Sequence, residues 1–94
     1  MALTTLDFTW SKGGFENVMV ATFRISNKSE YSIKDIEIAC TDSANSGTVI
    51  DSNTRTLYEI VKPGQTRRFP NVNMGLIHSQ ASQSSCRISD LAAY

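Results

Sequence analysis

Ile33-Lys34-Asp35-Ile36-Glu37-Ile38-Ala39-Cys40-Thr41 carries the clearest strand pattern in the chain. Ile36, Ile38 and Cys40 share one parity, and Asp35, Glu37 and Ala39 share the other. An extended backbone turns successive side chains to opposite faces, so this alternation gives one apolar face and one mainly polar face. A helix would set Asp35 beside Ile36 and leave no continuous apolar stripe. The spacing therefore predicts a strand over 33–41.

The same period of two extends outward in both directions. Toward the N-terminus, Met19, Ala21, Phe23 and Ile25 form a core face, with Val18, Val20, Thr22 and Arg24 between them. Earlier still, Leu6, Phe8 and Trp10 alternate with Asp7 and Thr9 until Gly13-Gly14 breaks the pattern. Toward the C-terminus, short strands are expected at 48–51, 55–61 and 66–69. Lys62-Pro63-Gly64-Gln65 between them has the chemistry of a type II turn: Pro presets φ at the first corner and Gly accepts positive φ at the second. Pro70 marks a strand end or an edge. The polar stretch 71–82 is read as a loop with at most one helical turn. A last strand covers 84–91, with Cys86 and Ile88 on one face. About seven short strands, with turn signals roughly every 8–12 residues, are the pattern of an antiparallel sandwich. The expected fold is a single immunoglobulin-like β-sandwich domain over residues 1–94, with a closed five- or six-stranded barrel as the alternative.

Composition narrows the function. The chain has 94 residues, enough for one core but not for a cleft between subdomains. Its 40% apolar and 19% charged content is that of globular material rather than disorder. Nine basic residues balance nine acidic ones without a basic stripe, so nucleic-acid binding is not expected. No apolar run approaches the ~20 residues of a membrane helix. The first residues, Met1 to Thr5, lack the basic and apolar regions of a signal peptide. The chain is then either cytoplasmic or a mature form whose signal has been removed.

Cys40 and Cys86 each lie in phase with inward residues of their own strands. A disulfide between them would fit an oxidising compartment, periplasmic or extracellular, and this is the favoured reading. Two buried thiols acting as small hydrophobes are the alternative. Without a Cys-x-x-Cys, redox chemistry is not expected, and two Cys with one His match no zinc spacing. His78 is the sole histidine, and no neighbouring serine has a nucleophile-elbow context, so it reads as a loop residue. Asp42, Asn45 and Asp51 match no calcium-loop spacing. No catalytic, cofactor or metal-binding residues are assigned. Asn27-Lys28-Ser29 fits the N-glycosylation triplet, a pattern common by chance. Phe15, Tyr31 and Arg67 are the candidates for a partner-binding surface. Trp10 is expected to fill the core, and Arg67 and Arg68 alternate faces, so at most one can join Arg24 or Arg87.

The stretches FRISNKSEYSIKDIEIAC, SGTVID and IVKPGQTRRF together resemble the small bacterial immunoglobulin-like exported domains of the FxLYD type. There a strand ends in an Asn-Ser turn, and a Pro-Gly turn precedes a strand ending in Phe. Leu57-Tyr58-Glu59 partly echoes the motif that names the family. The resemblance implies an envelope or extracellular location and no known catalysis, and no site residues carry over from it. The expected function is therefore that of a non-enzymatic exported bacterial interaction or accessory domain with an unknown protein partner, monomeric by itself. A small carbohydrate-binding or adhesion module, stacking sugars on Trp10, Phe15 or Tyr31, is the alternative.

Overall fold

The computed structural model describes residues 3–14, 17–78 and 80–94. Six strands follow in chain order: β1 (Thr4–Gly13), β2 (Val18–Asn27), β3 (Ile33–Ser43), β4 (Val49–Leu57), β5 (Thr66–Leu76) and β6 (Gln83–Ala93). Every pairing is antiparallel. One sheet has the order β1-β2-β5 and the other β4-β3-β6, packed as a sandwich. This is the strand order of an immunoglobulin-type fold, in which the first, second and fifth strands face the third and sixth.

The central strands supply the core. On β2, Met19, Ala21, Phe23 and Ile25 are buried; on β3, Ile33, Ile36, Ile38 and Cys40 are. Each side chain of Ile or Phe size sealed in this way contributes about 1.5–3 kcal/mol of transfer free energy. Ile33 and Ile36 share the inner face despite their odd spacing because Asp35 adopts φ 50° and the β3–β6 register shifts between Lys34 and Glu37. One residue of slack there restores the parity.

There are six strands rather than about seven, for two physical reasons. The expected strands at 48–51 and 55–61 are one strand, because Asn53 faces inward and its amide is hydrogen-bonded in the core instead of breaking the chain. Tyr58 and Ile60 lie beyond its end, and Val61 makes a separate bridge to Ile33. The expected loop after Pro70 is a continuation of β5. That strand lies at a sheet edge, so a missing N–H is tolerated there. Asn71 (φ 55°) and Gly75 (φ 96°) lie at its register shifts against β2. The offset carries Met74 into the core beside Phe69.

The turn at 62–65 has the form expected: Gly64 has φ 75° and Gln65 N donates to Lys62 O at 3.0 Å. It is fastened to Asn27 at the end of β2. Asn27 N donates to Gln65 O at 2.9 Å, and Gly64 N donates to Asn27 O at 2.7 Å.

Candidate functional site

The two long sides of the sandwich are closed in different ways. On one side β4 meets β5. Asn53 Nδ2 donates to Met74 O at 3.1 Å and to Leu76 O at 2.7 Å, and Arg55 donates to Asn73 O at 2.7 Å. Side chains of one sheet thus cap the edge carbonyls of the other. On the opposite side β1 meets β6. Leu6, Phe8 and Trp10 of β1, with Cys86, Ile88 and Leu91 of β6, pack against the core but stay only partly buried. No residue of either strand is fully buried. At one end this seam widens into an apolar groove of about 270 Å³, lined by Leu3, Thr4, Tyr31, Ile33, Leu91 and Ala93 among others.

The backbone of β6 is aimed at this open side. Cys40 and Cys86 are joined by a disulfide with their Cα atoms 4.0 Å apart. So close a pair is the narrow, non-hydrogen-bonded type of an antiparallel ladder, so the N–H and C=O of Cys86 point away from β3. At the end of the strand, Ser32 and Tyr94 exchange both of their backbone bonds, which makes the neighbouring Ile33–Ala93 pair the narrow type as well. The phase is continuous between these points. Ser84, Cys86, Ile88, Leu91 and Ala93 therefore present donors and acceptors along an edge that pairs with no other strand among the described residues. The phase survives the step from Ile88 to Leu91 because Ser89 is an extra residue: Ile38 pairs with Ile88, and Glu37 with Asp90. Ser89 Oγ donates to Glu37 Oε1 at 2.7 Å, which holds the bulge to the outer face.

Of the residues singled out from sequence, Cys40 and Cys86 are brought together as the disulfide. Tyr31 lines the groove and is 55% exposed. Arg67 is elsewhere, on β5: its guanidinium lies over the Phe69 ring at 5.0 Å, donates to Ile60 O and pairs with Glu59 at 3.5 Å. Phe15 lies outside the described residues. Trp10 stands six residues along β1 from the groove at Thr4, about 20 Å away at strand rise, so Trp10 and Tyr31 form no single stacking platform. It is Arg68, not Arg67, that stands opposite Arg24, with Asp7 on Arg24's other side. These residues, with Thr9 and Thr22, line a shallow open depression of about 250 Å³ on the outer face of the β1-β2-β5 sheet.

Asn27 is no glycosylation site in the folded chain, because its side chain is a buried cross-brace with 1% exposure. Its Nδ2 donates to Tyr31 O at 2.7 Å and Val61 O at 3.0 Å, and its Oδ1 accepts from Ser29 N and Ser29 Oγ. Asp42 is sealed at the end of β3, where Ser84 Oγ donates to its Oδ1 at 2.8 Å and its Oδ2 finds no partner among the described residues. Burial, and then the charge of Asp51, push its carboxyl above the ordinary carboxylate range against the Ser84 bond. His78 is exposed; its Nδ1 accepts from Gln80 N at 3.0 Å. The open β1–β6 side itself was not legible in the sequence, where Leu6, Phe8 and Trp10 alternate just as the buried residues of β2 do.

Comparison of the chain with protein-family models, curated proteins and solved structures finds no match. The described residues hold no helix long and apolar enough to cross a membrane.

Proposed function

We propose that this chain is an exported protein-interaction domain that takes an extended segment of a partner along its open β1–β6 side. One observation carries the reading. On the β4–β5 side, side chains of β4 cap three carbonyls of β5, whereas β6 leaves a row of aligned backbone groups beside half-buried apolar side chains. Such an edge is a template for an added strand, with backbone bonds giving affinity and flanking pockets giving selectivity. The groove at Leu3, Tyr31 and Leu91 is the pocket this arrangement offers to an apolar side chain of the incoming segment. In an immunoglobulin-type sheet the position beside the sixth strand is that of a seventh, so the added strand would complete a familiar layer. Export is supported by the disulfide, which persists in oxidising compartments.

The test is selection from a displayed library of extended peptides, followed by amide hydrogen exchange. Bound peptides are expected to slow exchange at Cys86, Ile88 and Leu91. Ile88→Lys, which places an inward-pointing charge on the edge, should abolish binding while leaving the circular dichroism unchanged. Peptides that instead protect β4 or the 58–65 loop would refute the reading.

A further inference from the structure

The charge pattern of β6 points to a particular occupant for the open edge. Its sequence, Gln-Ser-Ser-Cys-Arg-Ile-Ser-Asp-Leu-Ala-Ala, holds two charges, Arg87 and Asp90, both exposed on the outer face. They flank Ile88. The Ser89 bulge makes Ser89 and Asp90 together oppose one residue of the neighbouring strand. Counted in ladder positions, Arg87 and Asp90 are therefore equidistant from Ile88.

Resting on the interaction reading above, we propose that the occupant is a second copy of this chain, paired β6 to β6 about a twofold axis at Ile88. In that register Ile88 meets its own counterpart on the inner face. Cys86 stands opposite the copy's Leu91, and Ser84 opposite its Ala93. Each of these residues is one whose N–H and C=O face the open edge, so the ladder closes without leaving the edge donors unmatched. On the outer face Arg87 stands opposite the copy's Asp90, and the symmetry repeats the pair. An isologous interface must be self-complementary, and an antiparallel edge with opposite charges placed evenly about its centre meets that condition. The product is one continuous sheet, β4-β3-β6 joined to its copy. Leu6, Phe8 and Trp10 lie along the same side and lose their remaining exposure against the copy. Self-pairing also accounts for an edge that carries no Pro or Lys, residues that commonly blunt exposed strands.

Charge reversal tests this directly. Sedimentation from micromolar to millimolar concentration should show a reversible dimer for the wild type, with Cys86, Ile88 and Leu91 amides protected as concentration rises. R87D and D90R each turn both attractive pairs into repulsive ones and should weaken the dimer roughly ten- to thirtyfold. An equimolar mixture of R87D and D90R should recover a heterodimer, and the double variant R87D/D90R should recover the homodimer. Both charges are exposed, so the variants are expected to fold, as their circular dichroism will show. A wild type that stays monomeric throughout, or a dimer indifferent to both single reversals, would overturn the proposal. If the chain is monomeric yet selected peptides still protect the β6 amides, the occupant is wrong and the interaction reading stands. If neither copy nor peptide protects β6, both fall.

Discussion

Replacing Asn27 by Ala should cost the domain about 2–3 kcal/mol, and the structure says why the figure is not larger. Four side-chain bonds disappear. The two carbonyls that lose Asn27 Nδ2 each still have a donor: the one Ser29 hydroxyl proton, freed from Asn27 Oδ1, can turn to Tyr31 O at 3.0 Å, and Val61 O accepts from Ile33 N at 3.0 Å. Neither becomes an orphan. Ser29 is only half-buried, so water can replace what its N–H loses. The loss is then the net worth of the bonds, about 1 kcal/mol for each of the two bonds from Nδ2, with a smaller share from the Ser29 pair. For a domain of this size that corresponds to a melting point lower by roughly 10–20 °C.

The assay is urea denaturation followed by tryptophan fluorescence, with the slope compared between variants to check that only stability has changed. Asn27→Asp is the informative second variant. It keeps the shape but sets a carboxylate against two carbonyls, so it should be worse than Ala at neutral pH and recover partly on acidification. A loss below about 0.5 kcal/mol for Asn27→Ala, within the range of ordinary surface substitutions, would show that the cross-brace reasoning is wrong.

Two further outcomes follow from the buried groups. Because burial raises the folded carboxyl of Asp42 above its unfolded value near 4, its contribution is most favourable below that value and is lost as pH rises through the folded one; Asp42→Asn should therefore gain stability over the wild type between about pH 4 and neutrality and match it near pH 3, and a difference that does not vary with pH would refute this. Opening the Cys40–Cys86 link, which joins residues 46 apart, should cost about 2–4 kcal/mol on the chain-entropy account, read as a shift in urea midpoint with and without reductant, and an unchanged midpoint would contradict it.

The parts of this fold that were legible in the sequence are those where local pattern and tertiary surroundings agree. β2 and β3 are central strands with apolar residues on one parity, and the structure buries that parity almost completely. The cysteines were legible for the same reason, since each shared the phase of its core-facing neighbours. The misread stretches all contain residues whose side chains suit turns. Asn53 has turn chemistry in the sequence, but in the fold its amide replaces backbone partners between sheets. Pro70, Asn71 and Gly75 look like breaks, yet pairing with β2 carries the strand through them with offsets of one residue. Strand formation there is decided by the neighbouring strand rather than by intrinsic preference. Tyr31 was legible as an exposed aromatic at a turn, but nothing in its surroundings along the chain placed it beside Leu3 and Leu91. Edge or centre is a property of topology, so Trp10 and Met19 carry the same local signal and end in different surroundings.

The location of the stabilising features bears on what the open edge can do. The Asn27 brace ties the β2 end to the 62–65 turn, and the Asn53 and Arg55 bonds tie β4 to β5; both lie away from β6. On β6 the disulfide fixes the strand to β3 covalently, two rungs from Ile88's own, beside the Ser84–Asp42 and Ser89–Glu37 bonds. An edge strand without such a fastening would fray and slip in register, and a partner would have to order it on binding. With Cys86 fixed covalently and the bulge held by Ser89 on Glu37, the row of groups from Ser84 to Leu91 is set before any partner arrives. The disulfide stabilises the domain by constraining the unfolded chain, and under the proposed function it would also lower the ordering cost of pairing along β6. For the proposed pairing along β6, a link between a central strand and its edge neighbour orders the edge directly, which one bridging the two sheets would not.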